Sequence, residues 1–340
     1  MYNVDVSISG IVQNCDQSIL ALNIGHGYSF HVMSLEDLPF RQKIVDGSNH
    51  VDAQYFNSII HTENQQLFIC LTKTDSFQIP GFEKEIPADA KLVIINPDDF
   101  LCSDQLAPYQ ESEKQYLQRF FNMLRLFQSG NIGMYHTFFN YTYGAGILRN
   151  TLNNTVRNES RNIADRRKYL VSPEKISEIE KFISDYQGNE YTMLISCINE
   201  FIWGLEQIDM ATGFEQCTTA LEMILLEKNE NGKKKVLANR IAMLIGGLSS
   251  QATCLQSKMQ HYYRFRSESL HEGDNSNITQ VDFYDLQDIV RCVIKKTLER
   301  CKLEIGLDPA IDWDSVKAKQ INDLKAQVIN AKSAGILLDS

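Results

Sequence analysis

Apolar and polar residues alternate with a period of two at the start of the chain. Tyr2, Val4, Val6 and Ile8 are separated by polar side chains, which is the pattern of a half-buried β-strand. Stretches of strand-forming residues between glycine and proline predict further strands over residues 18–24, 28–33, 66–72 and 91–95. We therefore predict that the N-terminal third of the chain is rich in β-structure.

The spacing of apolar residues becomes helical from residue 111. Phe120, Leu124 and Phe127 recur at intervals of four and three residues. An aromatic cluster follows between residues 135 and 143. Such a stripe is able to stack nucleobases, but its interpretation as packed core is favoured. Residues 150–161 are polar and rich in asparagine, and they predict a loop or a mobile segment.

Helical periodicity extends over almost all of the chain after Ser172, which together with Pro173 is typical of a helix N-terminus. Seven helices are predicted, over residues 173–186, 191–206, 211–227, 234–245, 251–271, 279–302 and 313–334. Helices joined by short connections predict a bundle. The predicted fold class is α+β and multidomain. It has an acidic β-rich domain over residues 1–110, a helical and aromatic connecting segment over 111–171, an all-α bundle over 172–306 and a C-terminal helix over 307–340.

Composition narrows the class of protein. A hydrophobic fraction of 43% and a charged fraction of 22% are typical of a soluble globular protein. No apolar run approaches the ~18 residues of a membrane span, and the N-terminus lacks the pattern of a secretory signal. The 8 cysteines are scattered and form no C-x-x-C pair, so we expect no metal and no cofactor. Free cysteines fit a reducing compartment, and we predict a cytoplasmic protein.

The net charge of −10 is unevenly distributed. Residues 1–110 hold 5 basic and 14 acidic side chains, whereas the remaining residues hold 28 basic and 29 acidic ones. Two basic clusters in this nearly neutral part are able to hold a polyanion backbone, although a solvated loop or helix face has the same composition. The candidate nucleic-acid contacts are Lys233, Lys234, Lys235 and Arg240 in one cluster and Arg166, Arg167 and Lys168 in the other.

The strongest candidate for chemistry is the stretch over residues 260–274. It contains Arg264, Arg266 and His271 close to a predicted helix end that Gly273 marks. Histidine transfers protons near neutral pH, and the guanidinium fork of arginine matches a phosphate. This combination suits chemistry at a phosphodiester, but the spacing alone is also that of an ordinary charged helix end.

Helical geometry leaves the choice of arginine open. In an unbroken helix Arg264 lies seven residues before His271 and shares its face, whereas Arg266 lies five residues before it and points elsewhere. Arg266 and His271 act together if the helix ends near Leu270 and the histidine turns back, or if two subunits share the site. Glu268 lies four residues after Arg264, so the two are expected to pair, which leaves Arg266 for another role.

The order of these features resembles the HEPN superfamily, and within it the Apea-like HEPN group. The resemblance covers about residues 190–303, and more faintly residues 120–133. It is carried by the segments 214–226 and 237–246 and by Tyr263, Arg266-Ser267 and Leu270-His271. Proteins of this family are helical-bundle ribonucleases, often toxins or defence effectors, in which an arginine and a histidine carry the chemistry. The resemblance implies that Arg266 and His271 are this pair, and it places Ser267 at the polar position that follows the arginine.

Supporting roles are expected for Arg264, Ser267, Tyr263 and Glu222. Glu222 lies within an apolar helix, where it is either a buried acid that orients the motif or a charge at the rim. The N-terminal domain carries no catalytic signature, and its histidines, His26 among them, are interpreted as ordinary surface or strand residues. This domain is a candidate for recognising a protein partner or trigger.

We predict a metal-independent endoribonuclease of HEPN type that cleaves RNA through attack of the 2′-hydroxyl group. His271 exchanges the proton, and Arg266 stabilises the charge on the phosphoryl oxygens. A homodimer with the motif at its interface is expected, because two copies supply two arginines and two histidines. The alternative is a non-catalytic HEPN-like protein that binds RNA, a nucleotide or a partner, since Ser267 and Glu272 depart from the pattern of the family.

Overall fold

The structure, a computed structural model, combines an antiparallel β-sheet near the N-terminus with a series of α-helices, so the predicted α+β class is confirmed. The chain divides into two compact units. The first consists of Met1–Phe121, Ile132–Ser160 and Lys168–Glu180, and the second of Asn122–Asn131, Arg161–Arg167 and Lys181–Ser340. The structure describes residues 2–38, 67–79, 106–134, 136–143, 150–157, 167–207, 209–272 and 277–337.

The sheet belongs to the first unit. Its strands are β1 (Tyr2–Gln13), β2 (Ser29–Ser34), β3 (Leu67–Ile79), β4 (Gly133–Met134), β5 (His136–Tyr143) and β6 (Asn150–Arg157). All pairings between these strands are antiparallel, in the order β2-β3-β1-β5-β6, and the short β4 pairs with the end of β1. The period of two predicted for β1 holds at Val4, Val6 and Ile8, which are buried, and at Asp5, which is exposed, but Ser9 is buried as well.

Two further predicted strands are confirmed and one is wrong. Residues 28–33 and 66–72 correspond to β2 and the first half of β3. Residues 18–24 do not form a strand, because a 3-10 helix occupies Gln17–Ala21. The side chain of Asp16 accepts a hydrogen bond from the amide of Ser18 and caps this turn. The predicted strand at residues 91–95 lies outside the described residues.

The expectation of a loop over residues 150–161 is wrong for the part that forms β6. β6 pairs with β5 over the full length of both strands. Backbone pairing of this kind requires no apolar side chains, so a polar sequence is able to add a strand to the sheet. Phe138, Phe139 and Tyr141 of β5 are buried, which confirms the interpretation of the aromatic cluster as core.

Eight α-helices lie in the described part of the chain. They are α1 (Leu106–Phe127), α2 (Ile176–Tyr186), α3 (Asn189–Glu206), α4 (Met210–Leu225), α5 (Lys233–Ile241), α6 (Ser250–Glu272), α7 (Gln280–Leu307) and α8 (Trp313–Ser333). A 3-10 turn, Pro173–Lys175, precedes α2, and a π-helix, Ala242–Gly246, follows α5 directly. The seven helices predicted after residue 172 are confirmed, with small differences at their ends.

Two glycines let α3 and α4 approach each other closely in the second unit. A Cβ atom on Gly213 would lie 2.7 Å from the carbonyl oxygen of Gly204 and 2.8 Å from the ring of Phe283. Atoms cannot approach so closely without displacing a neighbour. This helix crossing therefore requires residues without a side chain at positions 204 and 213. Apolar side chains also anchor α4, since Phe214 and Leu221 are fully buried.

Polar side chains fix α6 against two neighbouring helices. Gln256 donates a hydrogen bond to Asn239 of α5 at 2.7 Å, and both side chains are buried. The Tyr262 hydroxyl donates to one carboxylate oxygen of Asp285 of α7 at 2.9 Å, and Lys258 donates to the other at 2.9 Å. These contacts hold in place the helix that carries the candidate motif.

Residues 122–131 belong to the second unit, although the sequence division assigns them to the connecting segment. Arg125 Nη1 lies 2.7 Å from Glu206 Oε1, and Arg291 Nε donates to the carbonyl oxygen of Arg125 at 2.7 Å. Asn131 donates to the carbonyl oxygen of Leu205 at 3.3 Å. A boundary at residue 172 therefore leaves out a part of the helical core.

Candidate functional site

Helix α6 is unbroken from Ser250 to Glu272. The hypothesis that the helix ends near Leu270 and that His271 turns back is therefore wrong. At about 100° per residue, positions 266 and 271 lie about 140° apart around the helix axis, whereas positions 264 and 271 are nearly in line. The side chain of His271 lies outside the described residues.

Arg266 is bound to Glu222 of α4. Arg266 Nη1 donates to Glu222 Oε1 at 2.9 Å, and the two side chains are only 17% and 16% exposed. Because the carboxylate is largely buried and holds the arginine, the interpretation of Glu222 as a buried acid fits this geometry. A charge-assisted hydrogen bond in such a setting fixes the position of the guanidinium.

Tyr263 forms a cluster with Arg266 and Glu222. The guanidinium carbon of Arg266 lies 5.5 Å from the centre of the Tyr263 ring, within the range of a cation–π interaction. Partial burial raises the pKa of the Tyr263 hydroxyl. The hydrogen bond to Glu222 and its charge raise this pKa further, and Arg266 opposes them. The hydroxyl therefore stays protonated and donates to the same carboxylate that binds Arg266.

One donor of Arg266 takes no part in this cluster. Its Nε is closed to solvent and has no hydrogen-bond partner within the residues that the structure describes. A buried donor without an acceptor is unfavourable by about 1–3 kcal/mol.

Arg264 is in a different environment on the same helix. It is 52% exposed, its Nε lies 3.5 Å from Glu268 Oε1, and its Nη2 lies 3.2 Å from His261 Nδ1. The predicted pairing with Glu268 is thus confirmed. Glu268 also accepts a hydrogen bond from Asn277 at 3.1 Å. Ser267, next to Arg266, is exposed.

The basic cluster at the start of α5 contains both exposed and buried side chains. Lys233 and Lys234 are exposed and Lys235 is half-buried. Arg240 is 3% exposed, and both of its terminal nitrogens lie 2.6 Å from oxygens of Glu230. Because Arg240 is buried and bound to Glu230, it is not available to contact a nucleic acid.

The second basic cluster also contains an arginine that is not available to bind a nucleic acid. Arg167 stacks on the ring of Tyr284, 4.1 Å from its centre, donates to Gln287 and lies 3.7 Å from Asp288. Because residues of α7 hold this guanidinium, Arg167 is not available to contact a nucleic acid either. Lys168 is exposed, and Arg166 lies outside the described residues.

The first unit contains a buried ion pair that sequence patterns did not indicate. Lys73 of β3 and Glu113 of α1 are 6% and 3% exposed, and Lys73 Nζ lies 2.7 Å from Glu113 Oε1. The Tyr28 hydroxyl donates to the other carboxylate oxygen at 2.6 Å. Burial, followed by the hydrogen bond to Glu113, raises the pKa of Tyr28 well above its ordinary value.

His26 belongs to the same cluster. Its Nε2 lies 3.1 Å from Glu113 Oε1, and its ring stacks on Tyr116 at 4.5 Å. His26 is 46% exposed, so it is a surface residue as expected, and its contacts with Glu113 and Tyr116 also make it part of this cluster. The local signal was the sequence Gly25-His26-Gly27, since all three residues have positive φ and the glycines favour that conformation.

Comparisons with models of protein families, with characterised proteins and with solved structures find no match for this chain. Within the described ranges, no three His, Cys, Asp or Glu side chains lie together as a group that could hold a metal ion. No helix in these ranges is long and apolar enough to cross a membrane.

Proposed function

We propose that this protein is a metal-independent endoribonuclease of the HEPN type. The observation that supports the proposal best is the ion pair between Arg266 and Glu222. It fixes a guanidinium within the last two turns of the helix that also carries His271. An arginine held by a second residue is preorganised, and preorganised charge is usually the largest contribution to catalysis.

Each residue of the proposed site has a distinct role. Arg266 stabilises the negative charge that grows on the phosphoryl oxygens. His271 exchanges a proton with the attacking 2′-hydroxyl group or with the leaving oxygen. His271 lies in the last turn of α6.

The site is shared between two subunits of a homodimer. Positions 266 and 271 lie about 140° apart on an unbroken helix, so a single phosphodiester is not easily reached by both from one chain. Two copies of α6 that face each other place Arg266 of one protomer beside His271 of its partner. The arrangement supplies two equivalent sites, each with one arginine and one histidine.

RNA contacts outside the site are provided by exposed lysines. Lys233 and Lys234 lie in the first turn of α5, and Lys168 lies in the other basic cluster. These side chains neutralise backbone phosphates without reading bases, so binding weakens as salt concentration rises.

The setting of the activity follows from the resemblance to the HEPN superfamily. We extend the proposal to a cytoplasmic toxin or defence effector whose N-terminal unit recognises a protein trigger. The excess of 14 acidic over 5 basic side chains in residues 1–110 supports a separate recognition surface of this kind.

Cleavage of RNA in excess chelator tests the proposal. Wild-type protein is expected to cut single-stranded RNA and to leave DNA of the same sequence intact, because DNA lacks the 2′-hydroxyl group. Mass spectrometry is expected to find 2′,3′-cyclic phosphate ends or their hydrolysis product. His271→Ala lowers the rate by about 10²-fold or more. Loss of activity with chelator, or full activity of His271→Ala, would contradict the proposal.

A non-catalytic role in binding RNA or a nucleotide is the second candidate. The observation that favours it is that Glu222 already neutralises Arg266, and Ser267 and Glu272 depart from the expected motif. In that case RNA is retained on a filter by both wild type and His271→Ala, and its length does not change. Binding of RNA without cleavage under any tested condition would support this alternative.

A further inference from the structure

The ion pair with Glu222 holds the Arg266 guanidinium through one nitrogen. Nη1 donates to Glu222 Oε1 at 2.9 Å, whereas Nε is closed to solvent and has no hydrogen-bond partner among the described residues. A long side chain that is bound at one atom is still able to rotate about that contact. The ion pair therefore does not by itself fix the plane of the guanidinium.

Tyr263 supplies a second contact from the same helix. It lies three residues before Arg266, and this spacing makes the two side chains neighbours on the surface of α6. The guanidinium carbon lies 5.5 Å from the centre of the Tyr263 ring, which is within the range of a cation–π interaction. The ring thus limits the positions that the guanidinium can take.

The Tyr263 hydroxyl acts on the other partner of the ion pair. It donates a hydrogen bond to the Glu222 carboxylate, and burial followed by this bond raises the pKa of the tyrosine. The carboxylate therefore has two donors, the Tyr263 hydroxyl and the Arg266 guanidinium. A group with two such partners is held in one orientation more firmly than a group with one.

The position of α6 itself is fixed by other side chains. Lys258 and Tyr262 both donate to Asp285 and anchor the helix against α7. Tyr263 instead contacts Arg266 on its own helix and the Glu222 carboxylate on α4. Loss of the Tyr263 hydroxyl is therefore expected to affect the arginine and to leave the helix in place.

We propose that Tyr263 is a positioning residue of the ribonuclease site. It holds Arg266 and Glu222 in one arrangement, and it acts on the phosphoryl group only through the arginine. The inference rests on the proposed function, in which the charge of Arg266 stabilises the transition state. A residue that aligns such a charge affects kcat, whereas a residue that binds RNA equally in the ground state affects KM.

Cleavage of RNA by the full chain tests the two parts of the side chain separately. Tyr263→Phe keeps the ring and loses the hydroxyl, and it should lower kcat about fivefold with KM unchanged. Tyr263→Leu also loses the ring and should lower kcat about twentyfold or more. In a Glu222→Gln background, Tyr263→Phe should have little further effect, because the hydroxyl acts through that carboxylate.

Tyr262→Phe is the matched control. It removes a neighbouring tyrosine hydroxyl that also donates to a carboxylate, that of Asp285 at 2.9 Å. Asp285 keeps its contact with Lys258, so α6 stays anchored. This variant should change kcat by less than about twofold.

NMR observes the arginine in the absence of RNA. In the full chain with ¹⁵N-labelled arginine, the Nε–H signal of Arg266 is identified by its loss in Arg266→Ala. Because Nε is closed to solvent, its hydrogen should exchange slowly in the wild type. Exchange should be at least about fivefold faster in Tyr263→Phe and Tyr263→Leu, and unchanged in Tyr262→Phe.

The proposal is overturned if this exchange is the same in the wild type and in both Tyr263 variants, or if Tyr262→Phe has the same effects. It is also overturned if the Tyr263 variants raise KM and leave kcat unchanged, since Tyr263 would then contact RNA directly. Circular dichroism checks folding, and Tyr263→Phe decides if Tyr263→Leu does not fold. A wild-type protein that cleaves no RNA would contradict the proposed function, whereas the exchange rates would still show whether Tyr263 holds Arg266.

Discussion

Arg264 and Arg266 of α6 are two residues apart but form ion pairs with different parts of the protein. Arg264 is half exposed and pairs with Glu268 of its own helix, whereas Arg266 is largely buried and pairs with Glu222 of another helix. An exposed pair within one helix contributes a few tenths of a kcal/mol. A guanidinium fixed by a neighbouring helix is better placed to act on a substrate.

We expect the two arginines to respond differently to substitution. Arg266→Ala should lower the rate of RNA cleavage by about 10²-fold or more, because it removes a preorganised charge. Arg266→Lys should not restore the rate, since lysine keeps the charge but not the planar fork. Arg264→Ala is the matched control and should change the rate by less than about threefold. Equal losses in the two alanine variants, measured on one RNA substrate, would show that Arg266 has no special role.

The effect of the Glu222 carboxylate on the pKa of Tyr263 can be measured directly. Burial, and then the hydrogen bond and charge of Glu222, raise the pKa of Tyr263. Glu222→Gln removes the charge, so the pKa of Tyr263 should fall. NMR of protein with ¹³C-labelled tyrosine, titrated to alkaline pH, measures it. Glu268→Gln should leave this pKa unchanged, and an unchanged value in Glu222→Gln would mean that the two side chains do not interact in solution.

Helices and strands differ in how far the sequence predicts them. The apolar spacing of the second unit is regular, so all seven predicted helices are present. The apolar pattern does not indicate β6, because its sequence is polar and its pairing with β5 is made by the backbone. The contact between Glu222 and Arg266 joins two helices that are 44 residues apart in sequence, and local periodicity carries no information about such a pairing.

The crossing of α3 and α4 leads to a prediction about stability. Gly213→Ala places a methyl group against the Gly204 carbonyl and the Phe283 ring, and overpacking of this kind lowers the free energy of unfolding by about 1–3 kcal/mol. Gly306→Ala is the control, because Gly306 lies in α7 with nothing within 4 Å of the added atom. That change should stabilise the protein by about 0.5–1 kcal/mol. Denaturant unfolding measures both, and a neutral Gly213→Ala would contradict the tight crossing.

For the whole molecule, the two units do not follow the boundaries expected from the sequence. Residues 122–131 are part of the second unit, where Arg125 pairs with Glu206 and supports Arg291. The sequence does not indicate a division between residues 121 and 122, because the apolar pattern of α1 continues across it. The helical unit is therefore assembled from several segments of the chain.

A chain that begins at Ser172 should be less stable than the intact protein. It lacks Arg125, so Glu206, which is 14% exposed, loses its ion pair with Arg125. Removing one partner of a buried pair destabilises by about 3–5 kcal/mol. Thermal unfolding followed by circular dichroism should show a lower and broader transition for the shortened chain, and Arg125→Ala in the full chain should reproduce part of the loss. A sharp transition at the same temperature as in the full protein would show that residues 122–131 are dispensable.

A mixing experiment tests most directly that Arg266 and His271 of two subunits form one ribonuclease site. Arg266→Ala and His271→Ala are purified separately, combined in equal amounts under conditions that exchange subunits, and assayed on RNA in excess chelator. Each variant alone should be nearly inactive, and the mixture should recover about one quarter of wild-type activity, because half of the dimers then contain one intact site. A mixture that stays inactive although subunits exchange, or a fully active monomer by light scattering, would contradict the shared site.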